Sequence, residues 1–211
     1  MSDLPQIEGW LRAELDKKNA ARERALAASR ELIRLCANAI RAVHRSDTAQ
    51  ADDLLEQARA RNAEIVTLLS PHPDLYYAGY VQDAQKELAE AECTRRLVSG
   101  EALPDPLSLG IAAAPFANGL AEAVGELRRF ILDQLRQNDL SRVESLLESM
   151  DEIYSLLVTI DYPDALTGGL RRTTDTTRSI LERTRGDLTV ALRQQKLEQS
   201  LLNLELRLRR D

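Results

Sequence analysis

Apolar residues recur at spacings of three and four along nearly the whole chain, and this period restricts the fold to packed amphipathic helices. The clearest run lies between Leu140 and Leu157, where Val143, Leu146 and Met150 share one helical face. Sheets favour β-branched and aromatic residues in alternation, and aromatic residues make up only 4% of this chain. We therefore expect an all-α protein.

The apolar period predicts six long helical segments, at about residues 4–44, 48–69, 75–98, 120–135, 140–157 and 170–206. Gly100 is expected to end the third segment in a left-handed conformation, and Asp139 to cap the fifth. Gly186 is expected to bend or break the last one. Because the 211 residues show no internal repeat, residues 1–211 are expected to form one helical domain.

Charge and cysteine content narrow the classes of function. The chain carries 28 Lys and Arg against 34 Asp and Glu, a formal net charge of −6, so any nucleic-acid binding requires a local basic patch. Cys36 and Cys93 are the only cysteines and no leader is visible, which argues against a disulfide framework and secretion. No stretch approaches the roughly 18 apolar residues of a membrane helix. We expect a cytoplasmic protein without a membrane contact.

The last predicted helix ends in an apolar stripe for which the sequence offers no cover. The stripe follows helical spacing through Leu197, Leu201, Leu204 and Leu208. Long helices with such edges bury poorly in a monomer of this size, and closed symmetric assembly is the usual remedy. The stripe therefore predicts a subunit contact in a homo-oligomer.

Carboxylates are the main candidates for chemistry, because the sequence has no glycine-rich phosphate loop, zinc-type cysteine pair or nucleophile motif. Asp83, Glu87 and Glu90 share one face of the third segment, and Glu122 and Glu126 share one face of the fourth. Two helices that each offer carboxylates can hold Mg²⁺ or Mn²⁺ between them. In a chain with 34 acids, the alternative interpretation is a pair of solvated helix faces.

Basic and aromatic residues near these acids also allow two interpretations. Arg95 and Arg96, like Arg128 and Arg129, either hold phosphates or pair with neighbouring acids on the same helix. The aromatic residues are Tyr76, Tyr77 and Tyr80, which either stack on bases or pack at a helix start. Trp10, Cys36 and His44 are interpreted as packing residues.

Residues 119–129 read Gly-Leu-Ala-Glu-Ala-Val-Gly-Glu-Leu-Arg-Arg. They resemble a segment of translin-associated factor X (TRAX) that reads Gly, aliphatic, Ala, acid, two variable residues, Gly-Glu-Leu, one variable residue and Arg. Residues 87–91 (Glu-Leu-Ala-Glu-Ala) resemble the family's Glu-Tyr-Val-Glu-Ala. Residues 29–31 (Ser-Arg-Glu) and 44–45 (His-Arg) stand at the spacing that this family shows, and residues 169–171 (Gly-Leu-Arg) are similar to its C-terminal segment. The chain thus resembles a TRAX-like member of the translin superfamily.

The resemblance implies a translin-like bundle of about seven helices, hollow oligomers that are often octamers, and binding of single-stranded RNA or DNA. In TRAX-like members the corresponding acids form a Mg²⁺-dependent endoribonuclease site that faces the interior, whereas translin-type subunits lack that set. The catalytic and metal-binding residues implied here are Glu87, Glu90, Glu122 and Glu126, with Mg²⁺ or Mn²⁺ as cofactor. The expected nucleic-acid contacts, assigned from their proximity to these acids, are Arg95, Arg96 and Arg129.

One residue departs from the family pattern, because Glu122 stands where the family usually has Asp. The change lengthens the ligand by one methylene and keeps its charge and oxygen donors. Our first hypothesis is therefore a metal-dependent endoribonuclease acting on single-stranded RNA. The second is a catalytically inactive translin-like protein that binds single-stranded RNA or DNA, and the third is a structural helical assembly.

Overall fold

Six long helices and three single-turn helices build residues 3–209, the part of the chain that the computed structural model describes. In chain order they are α1 (Leu4–His44), α2 (Thr48–Leu69), α3 (Pro73–Tyr76), α4 (Gly79–Ser99), α5 (Pro106–Leu109), α6 (Ala113–Arg136), α7 (Val143–Val158), α8 (Asp164–Thr167) and α9 (Leu170–Leu208). The all-α prediction is confirmed. The six long helices correspond to the six periodic segments, and the single turns lie in the connections between them.

The third segment is divided, which the apolar period did not predict. Helix α3 ends at Tyr76, Ala78 is extended, and α4 begins at Gly79. The side chain of Gln82 donates a 3.0 Å hydrogen bond to the Tyr76 carbonyl and so satisfies an acceptor at the break. At the other end of α4, Gly100 adopts the expected left-handed conformation with φ of 73°.

The predicted Asp139 cap of α7 is wrong, and the predicted break at Gly186 does not occur. Asp139 does not cap α7, because its carboxylate accepts a hydrogen bond from the Ser141 backbone while Arg142 occupies the N-cap position. Gly186 lies inside an uninterrupted α9. Thr184 and Leu188 on either side of it are buried, so packing against the bundle outweighs the weak helix propensity of glycine.

Two apolar cores meet where α4 packs against α6. The first core lies among α1, α2 and α4, and the second among α6, α7 and α9. The closest approach is at Gly119, where an added Cβ would lie 2.4 Å from the Lys86 carbonyl oxygen and 2.9 Å from the Glu90 nitrogen. Only glycine permits this crossing, which brings the acidic faces of α4 and α6 together.

Both terminal helices carry apolar residues that the bundle leaves exposed. At the start of α1 these are Leu4, Ile7, Trp10, Leu11 and Leu15, and at the end of α9 they include Leu197, Leu201, Leu204 and Leu208. The leucine stripe thus forms a continuous exposed edge. Across residues 3–209, no helix combines the length and the apolar character needed to cross a membrane.

Candidate metal centre

Three carboxylates from two helices converge at the α4–α6 crossing. Glu87 and Glu90 come from α4 and Glu122 from α6, and one oxygen of each lies within 4.8 Å of the others. Gly119 is about one helical turn before Glu122, so the close helix contact sets this spacing. All three side chains are half-buried. The structure therefore brings together three of the four carboxylates that the resemblance implied.

The fourth carboxylate, Glu126, lies one turn along α6 and is held by other partners. Its Oε2 atom is 2.5 Å from His44 Nε2 and 3.7 Å from an Arg129 guanidinium nitrogen. The His44 hydrogen bond lowers the pKa of Glu126 even though burial acts in the opposite direction. Glu126 therefore stays ionised at the edge of the cluster.

His44 reaches this site from the end of α1 and is itself buried. Its Nδ1 atom is buried without a hydrogen-bond partner among the described residues. We assign the ring proton to Nε2, where it can be donated to the acceptor-only carboxylate of Glu126. His44 thus orients Glu126, a role beyond the packing inferred from the sequence.

Lys86 is the cation that contacts the three-carboxylate cluster. Its Nζ atom donates a 2.8 Å hydrogen bond to Glu122 Oε1. Burial alone would lower the pKa of Lys86, but the hydrogen bond to Glu122 and the charges of Glu122, Glu87 and Asp83 raise it above its ordinary value. The lysine therefore remains charged and neutralises one of the three acids.

The two carboxylates that remain, Glu87 and Glu90, have no basic partner among the described residues. Burial, followed by the like charges of Glu87, Glu122 and Glu126, raises the pKa of Glu90 to about 8. Burial also raises the pKa of Glu87. A divalent cation would relieve this repulsion, and the all-oxygen donor set suits Mg²⁺ or Mn²⁺ better than a metal that prefers sulfur or imidazole. The residues present therefore fit such an ion.

A groove of about 760 Å³ opens beside this cluster. The residues that line it include Lys86 and Glu122, together with Tyr77, Asn118 and Thr173. The Asn118 side chain is fixed by a 2.8 Å hydrogen bond to the Thr167 carbonyl and accepts another from the Thr173 hydroxyl. The groove therefore reaches Glu122, one of the three clustered carboxylates.

Several known proteins share this architecture. AfC3PO, solved alone and in complex with duplex RNA, is 34% identical, covers 88% of this chain and 96% of its own, and superposes with TM-scores of 0.81 and 0.82 respectively. Apo-NeC3PO has the same fold at 19% identity and a TM-score of 0.81, covering 90% of this chain and all of its own. An uncharacterised protein of Methanocaldococcus jannaschii is 31% identical over 193 residues, 91% of this chain and 86% of the relative. No protein-family model matches.

This chain belongs to the translin superfamily. The resemblance inferred from residues 87–91 and 119–129 is confirmed at that level, and these two segments form the α4–α6 crossing with its three carboxylates.

The three arginines assigned to nucleic acid occupy different surroundings in this translin-superfamily protein. Arg95 is almost fully buried between Asp52 and Glu101, and Arg96 lies near Glu92 and Glu101. Neither forms an ion pair with any of the four acids in the described range. Arg129 does approach Glu126 and is more than half exposed, so it is the arginine that the structure brings to the site.

The tyrosines divide between the two interpretations left open by the sequence. Tyr76 and Tyr80 pack against the first apolar core, whereas Tyr77 is exposed and lines the groove.

Sequence reasoning missed the roles of His44 and Lys86. A signal for His44 existed, because residues 44–45 were part of the family resemblance. Lys86 carried none, since its partner is 36 positions away in the sequence.

Proposed function

We propose that this chain is a Mg²⁺-dependent endoribonuclease, with Mn²⁺ as an alternative metal, that cleaves single-stranded RNA within a hollow homo-oligomer. The observation that carries the proposal is the convergence of Glu87, Glu90 and Glu122 within 4.8 Å, with Glu122 also lining an open groove. Acidic residues on a solvent-exposed helix face would require neither the convergence of carboxylates nor an adjacent groove.

The proposed roles of the side chains follow from their contacts. Glu87, Glu90 and Glu122 would hold the ion, and Glu126, oriented by His44, supplies an ionised carboxylate beside them. When bound, such an ion lowers the pKa of a water molecule and stabilises charge on a phosphodiester. The exposed guanidinium of Arg129 lies on the Glu126 side, where it can bind a flanking phosphate.

Sequence similarity to AfC3PO supports a nucleic acid as the ligand. AfC3PO, which shares 34% of its sequence with this chain, has been solved with duplex RNA. Single-stranded RNA is the substrate that the family resemblance implies, and comparison of single-stranded with duplex RNA tests that choice. Arg95 and Arg96 are paired with acidic residues. They could contact RNA only if its phosphates displaced these partners.

The test is cleavage of an end-labelled single-stranded RNA by the purified oligomer, with Mg²⁺ or Mn²⁺ and with excess EDTA. We expect cleavage that EDTA abolishes and that Glu90→Gln, Glu122→Gln and Glu126→Ala each reduce by at least about tenfold. Glu56→Gln is the matched control, because Glu56 is an exposed glutamate of α2. Cleavage that resists EDTA, or that Glu126→Ala leaves unchanged, would contradict the proposal.

The same assay tests a second function, which is favoured by the ion pair between Lys86 and Glu122. A translin-like protein without catalysis would bind single-stranded RNA or DNA and leave it intact. Binding that persists in EDTA, together with no cleavage in either metal, would favour this alternative.

A further inference from the structure

Lys86 stands at the junction between the carboxylate cluster and the groove. Its Nζ atom is bonded to Glu122, and the side chain is about one-quarter exposed toward the groove. Within residues 3–209, no other Lys, Arg or His forms an ion pair with Glu87, Glu90 or Glu122. Lys86 is also the only basic residue that lines the groove.

We propose that Lys86 positions the RNA: it holds Glu122 in the metal-free site and binds a phosphate oxygen of the incoming strand once a divalent ion has taken Glu122. This inference rests on the proposed function and adds a substrate contact to it.

The first step of this exchange follows from competition for one carboxylate. The ammonium group and a divalent ion both seek Glu122, and the ion is additionally attracted by Glu87 and Glu90, which have no basic partner in the described structure. The ion therefore wins the carboxylate at sufficient concentration. Lys86 then loses its hydrogen-bond acceptor and needs a new anionic partner.

The second step follows from where the released ammonium group can go. The backbone of Lys86 lies against Gly119 in the close helix contact, so the part of the residue that moves most freely is its flexible side chain. The groove wall offers the Tyr77 hydroxyl, the Asn118 amide and the Thr173 hydroxyl, which are neutral, and Asp83, which lies one turn before Lys86 on α4. An RNA strand in the groove brings phosphates to the one cation there, and an ammonium group is a compact phosphate ligand.

The experiment measures metal affinity and RNA affinity separately in Lys86→Met, which keeps the length of the side chain and removes its charge. Mn²⁺ affinity is measured by electron paramagnetic resonance without RNA. RNA affinity is measured in Mn²⁺ with a 2′-O-methylated strand that resists cleavage, and KM and kcat with an unmodified strand. Lys86→Arg, which retains the positive charge, is the matched control.

The two affinities should change in opposite directions. In Lys86→Met we expect Mn²⁺ to bind about fivefold more tightly, because a competing positive charge is gone. RNA affinity should fall about tenfold and KM should rise by a similar factor, because a charge-assisted contact is lost. Lys86→Arg should stay within about threefold of the original protein in both. A residue that only supports the fold would weaken both affinities together.

Failure of this inference is distinguishable from failure of the proposed function. If the unaltered protein binds Mn²⁺ and cleaves RNA, but Lys86→Met leaves RNA affinity and KM unchanged or weakens Mn²⁺ binding, the role of Lys86 is overturned alone. If the unaltered protein neither binds Mn²⁺ nor cleaves RNA, the proposed function is overturned and the inference with it.

Discussion

Glu90 carries the strongest conflict between burial and charge among the residues of the site, and this conflict has a pH signature. The folded protein keeps the Glu90 proton until pH approaches its pKa of about 8, whereas the unfolded chain releases it near its ordinary value of 4.5. Between these values the folded state binds more protons, so the free energy of unfolding falls as pH rises. The lowered pKa of Glu126 acts below this window and does not offset the trend.

Replacing Glu90 with Gln should therefore flatten the pH dependence in EDTA. We expect Glu90→Gln to be more stable than the unaltered protein by about 2 kcal/mol at the upper end of the window, and equal to it near pH 4.5. Denaturant unfolding across the window measures both free energies. Glu56→Gln, on an exposed face, should keep the original slope.

Metal addition should narrow the stability difference between these two proteins if the proposed ligands are right. A saturating ion stabilises the folded state by about 2.7 kcal/mol at one hundred times its dissociation constant. We expect this increase for the unaltered protein and less of it for Glu90→Gln, which lacks one charged ligand. Equal stabilisation of both by Mg²⁺ would show that Glu90 does not bind the ion.

His44 allows a sharper test of the site than any of the acids, because Glu126 is the one acid of the site with which it forms a hydrogen bond among the described residues. Replacing His44 with Ala should reduce metal-dependent cleavage about 10- to 100-fold, because Glu126 loses the donor that orients it. His44→Gln, which retains an N–H donor, should recover part of the rate. Cleavage rates measured beside thermal unfolding separate this effect from loss of the fold.

The matched control for His44 is His72, the other histidine of the chain, which lies in the connection before α3. His72→Ala should leave the cleavage rate unchanged. Full cleavage by His44→Ala would remove the orienting role.

At the scale of helices, the distance between α4 and α6 decides whether the carboxylates meet. Gly119→Ala places a methyl group against backbone atoms of Lys86 and Glu90, which cannot move as a side-chain tip would. We expect a loss of about 2 kcal/mol in unfolding free energy and at least tenfold weaker Mn²⁺ binding, because the helices must separate. Urea unfolding and metal titration of the same sample measure both effects.

Gly125 offers a control on the same helix. A Cβ at Gly125 would meet only Ile180 at 3.9 Å, an ordinary contact. Gly125→Ala should therefore stabilise the protein by up to about 1 kcal/mol, since alanine favours helix, and leave Mn²⁺ binding intact. Equal behaviour of the two variants would show that the helix crossing does not set the site.

Features that repeat along a helix could be predicted from the sequence, whereas contacts between distant residues could not. The bodies of α1, α2, α6 and α7 were predictable because a buried face repeats every three to four residues. The break between α3 and α4 was not, because it depends on a side chain that bonds to a carbonyl six residues earlier. Helical spacing singled out the acids as candidates and the family resemblance narrowed them to four, whereas the His44–Glu126 and Lys86–Glu122 pairs depend on tertiary contacts that no local pattern encodes.

The whole molecule presents apolar edges at its two terminal helices and a groove leading to its acids. Leu197, Leu201, Leu204 and Leu208 are each more than half exposed on α9. Such a stripe is stable in water when a second copy covers it. An assembly with an acidic exterior would also repel RNA from its outside. Assembly would then decide which strands reach the groove.

Introducing charged residues into the leucine stripe should dissociate the oligomer. Leu201→Asp combined with Leu204→Asp buries two carboxylates in the proposed contact, and each costs several kcal/mol without a partner. Light scattering should give several multiples of the 23.6 kDa chain mass for the unaltered protein and a smaller mass for the double variant. Leu107→Asp is the control, because Leu107 is 87% exposed on α5, outside the stripe. A mass of one chain for the unaltered protein, or an unchanged mass for the double variant, would exclude this contact.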